Sequence, residues 1–209
     1  MATVNVLDHP LIADKLSRMR AQTTSTATFR GLAKEIAFLM GYEALRSLET
    51  TSEIVTTPLT KFAAPVLAER DIAMISILRA GNGMLTGLMD LMPTARVGFV
   101  GLARNEETLQ AEQYYSNLPK GLDKANILVC DPMLATGGSA ADAIDLVKEA
   151  GGQDIKLLCL LVAPEGLEAF HKRHPDVAVF TAAIDSHLND IGYIVPGLGD
   201  AGDRIFGTQ

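Results

Sequence analysis

The 209-residue chain has no tryptophan, only two cysteines, and aromatic side chains at 5% of positions, so an aliphatic interior is expected. Basic residues are in deficit: 18 Lys and Arg stand against 25 Asp and Glu, for a formal net charge of −7. A nucleic-acid backbone is held by a local surplus of Lys and Arg, so no nucleic-acid partner is expected. Anionic small molecules stay open, because a few arginines and backbone N–H groups hold them whatever the net charge. No apolar run reaches the roughly 20 residues that cross a bilayer. Runs such as Leu157 to Ala163 have the length of a strand covered on both faces, and no membrane partner is expected. The opening MATVNVLDHPLIADK carries charged residues where a secretory signal has an apolar stretch, which points to a cytoplasmic protein. Cys130 and Cys159 each lie inside an apolar run and read as buried thiols of a reducing compartment.

What is present is aliphatic and patterned. With 48% apolar and 21% charged residues and a mean hydropathy of +0.19, the chain has the balance of a globular protein. One domain over residues 1–209 is expected, with a helical N-terminal region over 1–60, an α/β core over 71–182 and a distinct C-terminal segment over 193–209. Phe29, Leu32, Ile36 and Met40 recur on one face of a helix read over 26–48. From Asp71 onward short β-rich runs alternate with amphipathic segments: Ile72 to Leu78, Val97 to Leu102, Ile127 to Cys130, Leu157 to Val162 and Val177 to Phe180. This is the pattern of βαβ units and a mainly parallel sheet, in which ligands bind beyond the carboxyl ends of the strands. The polar stretch between Leu102 and Ile127 is longer than a connection needs and reads as a lid, hairpin or binding loop.

The strongest motif is ILVCDPMLATGGSAADAIDLVKEAGG, from Ile127 to Gly152. A buried strand is expected to end at Cys130, with Asp131 at its carboxyl end. Thr136-Gly137-Gly138-Ser139 then opens a helix with Ala140, Ala143, Ile144 and Val147 on its apolar face, Asp142 in its first turn, and Gly151-Gly152 as its stop. Successive N–H groups of such a turn and helix start converge on one point and suit a phosphate, with the Thr136 and Ser139 hydroxyls as further donors. No lysine follows the glycines, so this is not a nucleoside-triphosphate loop, and a single phosphate monoester fits better. His171 and His174, three apart with no further ligand nearby, read as solvated surface side chains.

DPMLATGGS resembles the phosphoribosyl-diphosphate (PRPP) signature of the type I phosphoribosyltransferases, in the form carried by their uracil phosphoribosyltransferase branch. The resemblance extends through ILRAGNGM (Ile77 to Met84), RNEETL (Arg104 to Leu109) and YIVPGLGDAGDR (Tyr193 to Arg204). Asn82 and Ala103 depart from it, standing where bulkier apolar residues are expected. It implies a mainly parallel sheet flanked by helices, with N-terminal helices and a hood of loops, and transfer of ribose 5-phosphate from PRPP to uracil. The implied PRPP site is Arg79, Arg104, Asp131, Pro132, Met133, Leu134, Ala135, Thr136, Gly137, Gly138, Ser139 and Asp200. Ile194, Gly199, Asp200 and Ala201 are implied against uracil, and Arg79, Arg104, Asp131 and Asp200 in catalysis.

The residue chemistry fits these roles. Arg79 and Arg104 could meet charge building on departing pyrophosphate with bidentate guanidinium forks. The Asp131 carboxylate could accept from ribose hydroxyls and offset positive charge at the ring carbon. Mg²⁺ is the implied cofactor, held mainly by PRPP and water rather than by a protein cage. The resemblance also leaves GTP open as an effector, and the extra N-terminal helices suggest a homo-oligomer of two or more chains. Two other readings remain open. ILRAGNGMLTG sets Gly81, Gly83 and Gly87 after a strand as a dinucleotide turn does, but Glu106 and Glu107 fall in the polar interval where a ribose-binding acid should end the next strand. A non-catalytic PRPP-binding regulator of RNA or DNA would need a basic face, against the acidic balance.

Overall fold

A computed structural model describes residues 3–68, 71–104 and 111–208, with side chains left out at 103, 104, 111 and 112. The elements in order are β1 (Val4–Val6), α1 (Pro10–Arg20), α2 (Thr26–Ala44), β2 (Thr50–Thr56), β3 (Lys61–Leu67), β4 (Ile72–Leu78), α3 (Asn82–Leu91), β5 (Arg96–Arg104) and β6 (Ala111–Asn117). They continue as β7 (Asn126–Cys130), β8 (Met133–Leu134), α4 (Gly138–Glu149), β9 (Asp154–Val162), α5 (Pro164–Arg173), β10 (Ala178–Ile184), β11 (His187–Leu188), β12 (Ile194–Val195) and α6 (Ala201–Phe206).

The main sheet runs β1-β10-β9-β7-β4-β5-β6, with β8 also on β9. All pairs are parallel except β5 with β6. Strand periodicity divides two cores. In β4, Ile72 and Met74 join the cluster under α1, α2, α3 and α6, while Ala73, Ile75 and Ile77 join the cluster under α4 and α5. β7 and β9 alternate in the same way, with Cys130 in one cluster and Cys159 in the other, both thiols free and buried. A sheet covered on both faces explains why these strands are near-continuous apolar runs. Burial pushes both thiols well above their usual range.

The N-terminal helices carry recognisable caps. Pro10 opens α1 behind His9, whose Nδ1 accepts from the Leu11 N–H at 3.2 Å, and Ser25 Oγ accepts from the Thr28 N–H at 3.2 Å to start α2. Fully burying Phe29, Ile36 and Met40 contributes roughly 1.5–3 kcal/mol each. At Gly87 of α3 a Cβ would stand 2.0 Å from the Lys34 carbonyl oxygen, so α2 and α3 touch backbone to backbone there.

Three expectations need correction. The stretch 1–60 is not helical throughout: β1 adds an edge strand to the main sheet, and β2 pairs antiparallel with β3 in a separate hairpin, Thr50 opposite Leu67 through Thr56 opposite Lys61. The cause is local, since TTSEIVT is rich in β-branched residues and Thr57 Oγ1 organises the turn by accepting from Leu59 and Thr60 N–H groups. Asp142 lies beyond the first turn of α4, where it pairs with Arg173 of α5 at 2.5 Å. His174 is buried, with Nε2 2.9 Å from the Ala141 carbonyl and Nδ1 3.2 Å from Lys148 Nζ, because α5 ends there before Pro175 and turns the ring onto α4. Burial lowers the His174 pKa. Among the described residues, no helix is long and apolar enough to cross a membrane.

Candidate active site

The parallel strands β4, β7 and β9 lie side by side, and the chain after each carboxyl end builds one wall of a cleft. After β7 the chain leaves the ladder for Asp131 and Pro132 and rejoins it as β8, with Met133 opposite Leu161. The Asp131 N–H still donates to the Leu158 carbonyl at 3.1 Å, so the aspartate is fixed in backbone at the interruption. Its side chain is half-buried, and burial pushes its carboxyl up to about 7 against the opposing hydrogen bond from the Met133 N–H at 3.4 Å.

The glycine-rich turn follows directly. Gly137 has φ +85°, and a Cβ there would stand 2.6 Å from the Gly166 carbonyl oxygen. At Gly166 a Cβ would stand 2.0 Å from the Ala135 carbonyl oxygen, so the turn is clamped against the first turn of α5. No side chain caps α4 at Gly137, and the first N–H groups of a helix have no partner within it. Thr136, Gly138 and Ser139 are exposed at this end, whereas Pro132 and Leu134 are buried and can offer a ligand only backbone.

The β4 side is equally close-packed. A Cβ on Gly81 would stand 2.5 Å from the Cys130 carbonyl oxygen, which joins the turn after β4 to the end of β7. Arg79, reached through a cis peptide bond from Leu78, keeps 60% of its side chain exposed and lies 3.7 Å from Asp203. Asn82, the departure from the family pattern, accepts from the buried Ser76 hydroxyl at 2.9 Å, a bond that an apolar residue would leave unmade. Arg104 ends β5 in backbone only; its side chain and residues 105–110 lie outside the described residues, and the polar stretch returns from Ala111 to Asn117 as β6, antiparallel to β5.

The far wall comes from the C-terminal segment. β11 and β12 form a small antiparallel pair, and the loop after them runs through a cis Val195–Pro196 bond to Asp200. Asp200 caps α6, its Oδ1 accepting from the Asp203 N–H at 2.8 Å. A cavity of about 260 Å³ is lined by Met133, Ala135, Gly192, Tyr193, Ile194, Gly199, Asp200 and Ala201. The four residues expected at the base and the strand leading to the phosphate turn therefore share one space. Among the described residues no three His, Cys, Asp or Glu are grouped to hold a metal; Asp200 is the carboxylate that lines the cavity, and Asp131 lies two residues before its Met133.

Sequence reasoning missed the residues that hold the far wall. Arg20 pairs with Asp185, and both hydrogen-bond Gly197. Arg204 donates to the carbonyls of Leu198 and Ala21 at 2.8 and 2.6 Å and lies over the Phe29 ring at 4.5 Å. The Arg20 contacts and the Arg204–Ala21 bond join residues 165 or more apart in the chain, which no local pattern announces.

Known proteins resemble the chain along its whole length. A sequence profile described as uracil phosphoribosyltransferase matches residues 6–208. The chain is 55% identical to the uracil phosphoribosyltransferase of Paracoccus denitrificans, over all of this chain and 99% of that protein. It superposes on the AQ2163 protein of Aquifex aeolicus with a TM-score of 0.93 at 39% identity, covering 99% of both chains. The adenine phosphoribosyltransferase of Trypanosoma brucei, at 12% identity and a TM-score of 0.58, covers 96% of this chain and 89% of its own and shares the fold. Profile, identity and fold agree along the whole length, and the chain belongs to the uracil phosphoribosyltransferase family.

Proposed function

We propose that the protein joins N1 of uracil to C1 of the PRPP ribose as the bond to pyrophosphate breaks, giving UMP, pyrophosphate and the proton released from N1. The observation that carries this reading is the shared cavity, where Ile194 and Gly199 to Ala201 face Met133 and Ala135 beside the phosphate turn. The 5-phosphate rests on the N–H groups from Gly137 to Ser139 and on the Thr136 and Ser139 hydroxyls, at an uncapped start of α4. Asp131 accepts from the ribose hydroxyls in its ionised form, and its raised pKa makes that form dependent on pH near neutrality. Arg79, exposed at a strand end, meets the leaving pyrophosphate, and Arg104 is assigned to the same group by the motif it opens.

Uracil presents a ring N–H flanked by two carbonyls. The Ile194 carbonyl accepts from that N–H, and amides around Gly199 to Ala201 donate to an adjacent carbonyl. Mg²⁺ suits the hard oxygens here, held mainly by the diphosphate and water with the carboxylates of Asp131 and Asp200 beside it, and it would offset charge on the leaving group. The expected homo-oligomer is supported by the β2–β3 hairpin, where Ile54, Leu59 and Phe62 are exposed at 71, 95 and 48% and a second copy would cover them; sedimentation should give at least a dimer. The activity is tested with PRPP and Mg²⁺ plus uracil, hypoxanthine or orotate. Pyrophosphate release with uracil alone is expected, and release with another base in its place would refute the reading.

A further inference from the structure

The loop from Ile194 to Asp200 is fixed at its middle by an ion pair anchored at the opposite end of the chain. Arg20, the last residue of α1, sends Nη1 to Asp185 Oδ2 and to the Gly197 carbonyl, each at 2.7 Å, and Nη2 to Asp185 Oδ1 at 2.5 Å. Asp185 Oδ2 in turn accepts from the Gly197 N–H at 2.8 Å, so both polar backbone groups of Gly197 are held by one bidentate pair. Asp185 stands just past the end of β10, where its own N–H donates to the Val162 carbonyl at 2.9 Å. The pair is largely withdrawn from water, with side-chain exposures of 23% for Arg20 and 5% for Asp185. Gly197 has φ +61°, and a Cβ there would stand 2.0 Å from the Ile194 carbonyl oxygen. The pair thus grips the loop at the residue packed against the carbonyl that reads the base.

A buried ion pair is a poor device for stability alone, since apolar residues of the same volume often do as well. What it adds is direction, because a guanidinium fork engaging a carboxylate fixes both partners in one plane. A site that reads a base with backbone groups cannot adjust by changing side-chain rotamers, and a displacement of about 1 Å is enough to spoil its geometry.

We propose that Arg20 and Asp185 are positioning residues for base recognition, so that preference for uracil over cytosine depends on an ion pair that touches neither substrate. The inference rests on uracil being the acceptor. The test compares wild type with Arg20→Met, Arg20→Lys and Asp185→Asn, measuring kcat/KM for uracil and cytosine, KM for PRPP and the thermal midpoint. Arg20→Met should raise KM for uracil and lower the uracil-to-cytosine ratio, each by about 10-fold or more, while KM for PRPP stays within about twofold. Arg20→Lys, which keeps the charge but not the fork, should fall between. If Arg20→Met does not fold, Asp185→Asn carries the same test, since it keeps the side-chain shape and removes the charge. A folded variant with an unchanged ratio, or with equal rises in KM for uracil and PRPP, overturns the proposal. Wild type that releases no pyrophosphate with uracil overturns the base assignment and the proposal together, whereas active wild type with unaffected variants overturns the proposal alone.

Discussion

The two walls of the cleft are built in different ways. The wall assigned to the phosphate, Asp131 to Ser139, is contiguous in sequence and takes its shape from the ladder beside β9, the start of α4 and the close packing of Gly137 and Ala135 on Gly166 of α5. The wall assigned to the base, Ile194 to Ala201, rests on the short β11–β12 pair and the start of α6, and is clamped by Asp185 and Arg204 from flanking sequence and by Arg20 from the other end of the chain. A wall made by local backbone should fail all at once when its backbone is strained. A wall made by side-chain clamps should loosen by degrees.

Gly137→Val breaks the first wall most severely. A β-branched residue at φ +85° is strained by about 1–3 kcal/mol, and its Cβ would meet the Gly166 carbonyl at 2.6 Å. With a similar cost for overpacking, roughly 4 kcal/mol or about 10³-fold in kcat/KM for PRPP is expected, read from initial rates. Arg79→Ala should come next, losing about 2–4 kcal/mol of transition-state stabilisation through removal of a charge-matched donor at the leaving group. It should lower kcat with little change in thermal midpoint, because the side chain is 60% exposed and stabilises no core.

Asp131→Asn separates the walls by pH. The folded carboxyl is raised to about 7 from 3.8, so between those values the folded state binds more protons than the unfolded one, and this group's contribution to stability falls as pH rises. The asparagine variant should therefore gain thermal midpoint relative to wild type at pH 8 but not at pH 4, while losing the rise in kcat/KM for PRPP through pH 7. Equal shifts at both pH values would contradict the burial account. The smallest effect is expected at the base wall, where Ile194→Val removes one methylene and should cost about 0.5–1.5 kcal/mol of stability with base preference kept.

The same contrast governs what could be read in the sequence. Ile72 to Leu78 matches β4 residue for residue, and β7 was legible to within one residue, because a strand covered on both faces writes itself as an unbroken apolar run. The phosphate turn was legible for a related reason, since a strand end, glycines and an apolar helix face follow one another directly. The base wall could be located only by resemblance, and its clamps not at all, because the Arg20–Asp185 pair spans 165 residues. β2 is hard to read because the helical pattern of the N-terminal region passes Ala44 into a β-branched stretch with no clear break. The burial of His174 is not legible in the sequence, because spacing along a helix does not reveal where that helix ends and what lies beneath its last turn.

The most direct measurement is kcat/KM of the wild-type protein for uracil and for cytosine with PRPP and Mg²⁺. If the Ile194 carbonyl and an amide near Gly199 to Ala201 read the ring edge, cytosine sets an acceptor against an acceptor and a donor against a donor. Buried polar groups that lose their partners discriminate by roughly 10⁴-fold or more. A ratio of that size in favour of uracil is the predicted result, and comparable use of the two bases would contradict the account.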